Sequence, residues 1–343
     1  MGIKNLTQTI KKCSPDSITH ENLYKLSGKK VAVDASLIIY QQLLNKTSIF
    51  KNKDGKITNH ITGLFYKIMN YIALNIELIF IFDGKPPDNK TECIKERKQK
   101  SEKAKELSKT ATTKEEKDKY EKSSIRLTHE MIEDVKYLLN LLGVSYIHPK
   151  EGEGEAYASE LCRIGYVDYV LTEDMDTMAY RCPKVIRKCT DRSVKRRDII
   201  SIFDYQKLIN DIELTDDKFL DFCILSGCDY CSPPPKLGNV TALKLVKNYN
   251  NIQEIIENTK YNFPDDYYEK FQMAKNNFRI FIDKIDPSEI NIVKGNLDQN
   301  KLYHYLLNDI GMSEKRVQNA LKKFHNNYKN EHGGSVSNMF GKS

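Results

Sequence analysis

The sequence predicts an α/β fold in which a central, mostly parallel β-sheet is flanked by helices. Three short segments support it, namely VAVDAS (31–36), IELIFIFDG (76–84) and DYVLTEDMD (168–176). Each is nearly continuous in apolar character, which is typical of a strand covered on both faces of a parallel sheet. Helical patterns lie between the segments, as right-handed parallel connections require.

Two of these helices can be placed from the periodicity of their apolar residues. Residues 128–143 place five apolar side chains on one stripe and end in a capping glycine, Gly143. The stripe consists of Ile132, Val135, Leu138, Leu139 and Leu142. A second helix, within residues 153–171, is predicted to lead into the third strand, and the chain from about residue 215 onward is predicted to be mainly helical.

Composition and cysteine use exclude several classes of protein. The chain has 343 residues and 40% hydrophobic content, enough for a large core, and it lacks an apolar run that could cross a bilayer. Its first 13 residues lack the apolar core of a signal peptide. The eight cysteines are therefore expected to be reduced thiols in an intracellular protein. Cys228 and Cys231 lack the second ligand pair of a structural zinc site.

The net charge of +7 is modest, so the distribution of charge is more informative than its total. Basic residues concentrate in two stretches, 85–122 and 187–198. The first stretch is either a solvated helical pair with i,i+4 ion pairs or a basic arm over a polyanion. Composition alone favours the helical pair.

Aspartates close each of the three predicted strands. They are Asp34, Asp83 and the pair Asp174 and Asp176. Ligands of open α/β sheets bind at the carboxyl ends of the strands, so these side chains are expected to converge on one rim. Asp174 and Asp176 are two residues apart, and an extended backbone would point both the same way.

A rim of carboxylates needs a compensating charge. Two unit charges about 4 Å apart interact by roughly 4 kcal/mol at an effective dielectric of 20, so the groups must take up protons or bind cations. Oxygen ligands alone favour Mg²⁺ or Mn²⁺. The segment EGEGEA would add Glu153 and Glu155 to this site from a helix N-terminus, whose dipole favours anions.

Six motifs stand in the order and spacing of one known family. They are MGIKNL, VAVDAS, FDGKPP, GEGEA, TEDMD and SGCDYC, and the match runs from residue 1 to about 325. In these motifs the chain resembles the flap endonuclease family of structure-specific 5′ nucleases. The resemblance implies the 5′ nuclease fold, which is similar to that of PIN domains. It also implies hydrolysis of DNA phosphodiesters at 5′ flaps during replication and repair, as endonuclease and 5′–3′ exonuclease.

The resemblance also implies a set of metal-binding and catalytic residues. The metal-binding carboxylates would be Asp34, Asp83, Glu153, Glu155, Asp174, Asp176 and Asp229. The family uses two Mg²⁺ ions, which Mn²⁺ can replace. Its active-site lysine and arginine correspond to Lys90 and Arg97, which a helix would place on one face, two turns apart.

The same comparison predicts how the chain is organised. Residues 1–327 would form a single nuclease core, with a helical arch at 85–127 and a helix–two-turn–helix region at 215–275. Residues 328–343 are expected to be a disordered tail. The PPPKLG turn (233–238) departs from the family's glycine-rich turn, which binds duplex DNA and a K⁺ ion.

Several residues are candidates for contact with DNA. By resemblance they are Gly2, Tyr40, Lys90, Arg97, Glu153, Lys236, Gly238, Thr241 and Lys244. For Lys244, coating of an amphipathic helix is an equally good interpretation. The expected partner is branched double-stranded DNA with a 5′ flap, bound by a monomer.

The sequence is also compatible with a further partner and with two alternative functions. Val336, Met339 and Phe340 have the spacing of a degenerate sliding-clamp peptide, although a disordered end fits the composition better. Cysteine use places the protein inside the cell. The resemblance implies the nucleus or another site of DNA replication, although the basic tail that could hold a nuclear import signal is absent. The alternative functions are a non-catalytic scaffold that binds DNA junctions and a related metal-dependent ribonuclease.

Overall fold

The computed structural model describes residues 2–44, 50–86, 90–189 and 198–322, with the backbone alone at 91–93. Within these residues, eight strands form one sheet. The strands are β1 (Ile18–Asn22), β2 (Lys30–Asp34), β3 (Glu77–Ile81), β4 (Ser145–Ile147), β5 (Tyr169–Leu171), β6 (Lys184–Lys188), β7 (Ile199–Asp204) and β8 (Ile292–Val293). The helices of the first half are α1 (Leu6–Cys13), α2 (Ala35–Leu44), α3 (Asn59–Ile72), α4 (Thr91–Thr110), α5 (Lys114–Ser124), α6 (His129–Leu141) and α7 (Gly154–Arg163). Those of the second half are α8 (Asp176–Ala179), α9 (Tyr205–Ile212), α10 (Asp216–Ser226), α11 (Asn239–Asn248), α12 (Ile252–Asn258), α13 (Tyr267–Phe278) and α14 (Gln299–His304).

The centre of the sheet is parallel and its edges are antiparallel. The strand order is β1-β7-β6-β5-β2-β3-β4-β8, and β2 pairs in parallel with both β3 and β5. Antiparallel pairs join β6 to β7, β7 to β1 and β4 to β8. The predicted α/β class with a mostly parallel sheet is therefore confirmed.

Apolar layers cover both faces of the sheet. Along β2, Val31 and Val33 face one layer and Ala32 faces the other, because side chains alternate along a strand. The first layer packs on α2, α3 and α6, and the second packs on α7 and α10. No helix of the described segments is both long and apolar enough to cross a bilayer.

Both predicted helices are present. Helix α6 begins after Thr128, whose hydroxyl accepts a hydrogen bond from Met131 N, and the chain leaves it through Gly143 at a φ of +72°. Glycine is favoured there because it adopts the left-handed region without steric cost. Helix α7 leads into β5.

The predicted third strand is too long. Strand β5 ends at Leu171, and Asp176 is already the first residue of α8. The backbone turns because Asp174 N donates to Thr172 Oγ1 at 3.1 Å and Asp176 N donates to Asp174 Oδ1 at 3.1 Å. The prediction that an extended backbone aligns Asp174 with Asp176 is therefore wrong, and a side-chain-stabilised turn brings them together instead.

Helices α4 and α5 form a hairpin. The Ser101 hydroxyl of α4 donates to the Ser124 carbonyl of α5 at 2.9 Å, and Ala104 is buried between them. The rest of the hairpin is mostly exposed and charged, with ion pairs such as Lys100 with Glu96. The hairpin thus has the features of a solvated helical pair, and its inner face borders the site described next.

Candidate functional site

A cleft of about 680 Å³ opens between the carboxyl ends of the central strands and the α4–α5 hairpin. Six of the seven predicted metal-binding carboxylates line it, together with both predicted cations and Tyr40. The carboxylates are Asp34, Asp83, Glu153, Glu155, Asp174 and Asp229. The seventh, Asp176, lies beneath Asp174 and is 3% exposed.

The carboxylates at the carboxyl ends of β2 and β3 accept hydrogen bonds from neighbouring donors. Asp34 is the last residue of β2, and its oxygens accept hydrogen bonds from Leu37 N at 3.0 Å and Thr172 Oγ1 at 3.1 Å. Burial, with repulsion from Asp83, raises the pKa of Asp34 to about 7. Asp83 follows β3 and accepts hydrogen bonds from Ser36 Oγ and Gly154 N.

The two glutamates lie at the start of α7. Gly154 separates them and packs so closely on β3 that an added Cβ would lie 3.0 Å from Ile81 O. Glycine at this position therefore lets the helix end approach the strand. Glu155 is 8% exposed, and its Oε2 has no hydrogen-bond partner among the described residues. Burial, then the charges of Asp174 and Asp176, raise the pKa of Glu155 well above its usual range.

Glu155, Asp174 and Asp176 form the densest part of the site. Each offers a carboxylate oxygen, and the three oxygens lie within 4.8 Å of one another. Ile3 N donates to Asp176 Oδ1 at 2.7 Å, which anchors the N-terminal segment to this cluster. Gly2 adopts a φ of +85°, and an added Cβ would lie 1.9 Å from Asp174 Oδ1.

The chemistry of these donors fits a hard divalent cation. Three carboxylates with an unsatisfied buried oxygen repel one another unless a cation or protons neutralise them. Carboxylate oxygens are the ligands that Mg²⁺, Mn²⁺ and Ca²⁺ prefer. The acidic cluster could therefore hold a metal ion.

Two cations at the N-terminal end of the hairpin, one just before α4 and one on it, pair with the acidic rim. Lys90 precedes α4, and its Nζ lies 2.6 Å from Glu153 Oε1 and 3.6 Å from Asp229 Oδ2. Arg97, two turns later, donates from Nη2 to both oxygens of Asp229. Although burial alone would lower the pKa of Lys90, the adjacent Glu153 raises it above its usual range, so Lys90 is a cation.

Comparison with known proteins gives one consistent family. Residues 1–104 match the XPG N-terminal domain and residues 143–229 match the XPG I-region. Flap endonuclease 1 of Glycine max is 34% identical over 333 residues, which cover 94% of this chain and 86% of that protein. The chain belongs to the flap endonuclease family. The resemblance inferred from the six motifs is thereby confirmed.

A second relative and a solved structure support the assignment to this family. Flap endonuclease 1 of Saccharomyces cerevisiae is 35% identical over 99% of this chain and 91% of its own length. The solved structure of flap endonuclease-1 from Methanococcus jannaschii is 27% identical, with a TM-score of 0.67 over 96% of this chain and 100% of that one. The sheet and its flanking helices are thus those of the 5′ nuclease fold.

Three hydroxyl-bearing residues of the site were not predicted from the sequence of this flap endonuclease family member. The Thr172 hydroxyl donates to the Asp34 carboxylate and accepts from the backbone N–H of Asp174. Ser36 donates to Asp83, and Tyr230 donates to Glu153 Oε1. Each lies within two residues of a predicted carboxylate along the chain, and that proximity was the available signal. Burial, then Glu153, raise the pKa of Tyr230 above its usual range, so its hydroxyl keeps the proton that it donates.

The predicted duplex-binding residues form a second group near the start of α11. Lys236, Gly238 and Lys244 are exposed and Thr241 is half-buried. Lys236 has a φ of +65°, and Gly238 is the residue before α11. Their DNA contacts, and the K⁺ site in this turn, stay predictions.

Two further predictions are untested. The division into a single core at 1–327, an arch at 85–127 and a DNA-binding region at 215–275 stays a prediction, although the hairpin and α10–α13 occupy the last two ranges. The tail at 328–343, with the clamp-peptide residues Val336, Met339 and Phe340, lies outside the described residues.

Proposed function

We propose that this chain is a metal-dependent, structure-specific nuclease that cuts branched DNA at the base of a 5′ flap, in replication and repair. The main supporting observation is that two basic side chains, Lys90 and Arg97, lie next to a cluster of carboxylates at the carboxyl ends of the parallel strands. In such a cleft the carboxylates can bind divalent cations, and the two basic side chains can bind a phosphodiester.

The carboxylates of the cleft would hold two Mg²⁺ ions, for which Mn²⁺ could substitute. Glu155, Asp174 and Asp176 would hold one ion, since their oxygens already lie together. Asp34 and Asp83, at the carboxyl ends of neighbouring strands, would hold the other ion together with Glu153 and Asp229. Bound divalent cations lower the pKa of a water molecule and stabilise charge on the reacting phosphate.

Lys90 and Arg97 would bind and orient the substrate. Lys90 offers a compact positive charge, while the planar guanidinium of Arg97 can donate to two phosphate oxygens at once. Both side chains line the same cleft, so a phosphate bound there would be within their reach. There they would hold the scissile phosphate and offset the charge that develops in the transition state. The product would carry a 5′-phosphate.

The rest of the DNA would lie on both sides of this cleft. The α4–α5 hairpin would cover the single-stranded flap, and Tyr40 would stack on a base near the junction. The start of α11 would bind duplex phosphates through Lys236, Thr241 and Lys244, and a K⁺ ion could support that turn. This binding should weaken as salt rises, because it depends on phosphate contacts. We also propose that the protein acts as a monomer inside the cell, in the nucleus or wherever DNA is replicated, with the sliding clamp as a further partner.

Cleavage of end-labelled substrates tests the proposal. A 5′ flap, a bubble, a nicked duplex and a single-stranded RNA would be incubated with Mg²⁺ or with EDTA. We expect Mg²⁺-dependent cleavage at the base of the flap, and Asp176→Ala should bind the flap normally but cut it many-fold more slowly. Binding without cleavage in any metal would favour a scaffold, and preferential cutting of RNA would favour a ribonuclease.

A further inference from the structure

Tyr230 connects the acidic rim to the core. It lies one residue after Asp229 in the loop that follows α10, and its hydroxyl donates to Glu153 Oε1. The same hydroxyl is 3.2 Å from the hydroxyl of Tyr180, which is 4% exposed. The Tyr230 ring packs edge-on against buried Phe278, with 5.4 Å between ring centroids.

Lys90 meets both partners of this hydrogen bond. Its Nζ lies 2.6 Å from Glu153 Oε1, the oxygen that accepts from Tyr230, and 5.8 Å from the centre of the Tyr230 ring. A cation near an aromatic face is attracted by the ring, and the attraction grows when water is excluded. Lys90 and Glu153 are 13% and 12% exposed at their side chains, so this contact is largely shielded from water.

We infer that Tyr230 is a positioning residue for the proposed reaction: it fixes Glu153 through one oxygen and supports Lys90 through its ring. With Oε1 held by Tyr230, the other oxygen of Glu153 is left for a cation or a water molecule. Tyr180 and Phe278 keep the Tyr230 ring in place from the core side. This inference rests on the proposed function for its effect on turnover, but its effect on cation binding can be measured separately.

Tyr230→Phe is the direct test, because it removes the hydroxyl and keeps the ring. Groups that orient metal-binding residues typically contribute about 10-fold to 100-fold in metal affinity or activity. We therefore expect Tyr230→Phe to weaken Mn²⁺ binding by about 10-fold in calorimetry and to lower kcat on a 5′ flap by a similar factor, with KM nearly unchanged.

Tyr205→Phe is the matched control. Tyr205 is also buried and also donates to a carboxylate, Asp216 Oδ1 at 3.0 Å, but it packs against Phe219 and does not line the cleft. It should lose a comparable amount of thermal stability while Mn²⁺ affinity and kcat stay at the wild-type values. Equal losses of kcat and Mn²⁺ affinity in both variants would reduce Tyr230 to a structural role and overturn the inference.

Combining variants tests the route of action. Because Tyr230→Phe removes only the hydroxyl that holds Glu153, the double variant Tyr230→Phe, Glu153→Ala should turn over no more slowly than Glu153→Ala alone. Additive losses would contradict the inference, as would wild-type Mn²⁺ affinity in Tyr230→Phe. If the wild-type chain cuts none of the DNA substrates and Tyr230→Phe still weakens Mn²⁺ binding, the proposed function fails and the positioning of the metal site by Tyr230 stands.

Discussion

Arg97 on α4 donates from Nη2 to both carboxylate oxygens of Asp229, at 2.8 and 2.7 Å. Lys90 makes a similar pair with Glu153, at 2.6 Å. The hairpin cations thus occupy carboxylates that we propose for metal binding. On that proposal, divalent cations would compete with Lys90 and Arg97 for the same oxygens, and binding of the metals would release the two basic side chains for a phosphate.

Arg97→Ala tests this competition. Without the guanidinium, Asp229 loses the cation that occupies both of its oxygens, so we expect Mn²⁺ to bind several-fold more tightly by calorimetry. Cleavage of a 5′ flap should nevertheless become about 100-fold slower in kcat, with a smaller change in DNA affinity, because a donor to the transition state is lost. Lys103→Ala, at an exposed position of the same helix, is the control and should change neither quantity. Weaker Mn²⁺ binding in Arg97→Ala would contradict the competition.

Gly2→Ala should damage the site through one added methyl group. The new Cβ would lie 1.9 Å from Asp174 Oδ1, so the carboxylate or the N-terminal segment must move. We expect Mn²⁺ affinity to fall at least about tenfold, because loss of the groups that orient metal ligands typically has an effect of this size. Gly28→Ala controls for backbone strain, since Gly28 has a φ of +73° and no described atom within 4 Å of an added Cβ. It should cost roughly 1–2 kcal/mol of stability and leave Mn²⁺ binding intact. Equal Mn²⁺ affinity in both variants would count against a role for the Gly2 contact.

Thr172→Val should break the link between the Asp34 carboxylate and the turn that carries Asp174. Valine has nearly the same shape, but it neither donates to Asp34 nor accepts from Asp174 N. We expect a loss of about 1–3 kcal/mol in the free energy of unfolding and weaker Mn²⁺ binding. Thr9→Val removes a buried hydroxyl far along the chain, on α1, and should affect stability alone. Unchanged Mn²⁺ affinity in Thr172→Val would show that this bridge is dispensable.

Addition of metal should stabilise the folded protein. Mutual repulsion among Glu155, Asp174 and Asp176 is relieved when a cation binds, and a ligand that binds only the native state raises its stability. At about 100 times the dissociation constant the gain is roughly 2.7 kcal/mol, visible as a higher Tm by calorimetry. EDTA should reverse the shift, and Asp174→Asn, Asp176→Asn should abolish it. A Tm that does not change when Mg²⁺ or Mn²⁺ is added would argue against a metal site here.

His60 should make stability fall in mild acid. It is fully buried on α3, and burial lowers its pKa even though Asp134 lies 3.5 Å from its Nε2. The folded state therefore binds the proton less readily than the unfolded state, so stability is present above the unfolded pKa of about 6.5 and is lost as pH drops below it. We expect Tm to drop more between pH 7.5 and 5.5 in the wild type than in His60→Gln. Parallel Tm profiles would refute this role.

The central part of the fold was predictable because it depends on local signals. Buried parallel strands are continuously apolar, so β2, β3 and β5 stand out in the sequence, and α6 carries both an apolar stripe and end signals. Strands β1, β4, β6, β7 and β8 were missed. They are short or lie toward the edges, where apolar and polar residues alternate less clearly, as in ITHEN of β1.

The sequence by itself determined the family, the class of fold and which carboxylates are candidates, since motif order and strand-end aspartates are properties of the chain read in one dimension. The tertiary structure alone decided which oxygen meets which donor. Thr172 links the Asp34 carboxylate to the backbone N–H of Asp174, Tyr230 holds Glu153, and Arg97 reaches Asp229 across 132 positions. All are contacts between distant segments or through a turn. Hydrogen bonds depend on distances of a few tenths of an ångström, and these distances are set by packing of the whole chain rather than by spacing along it.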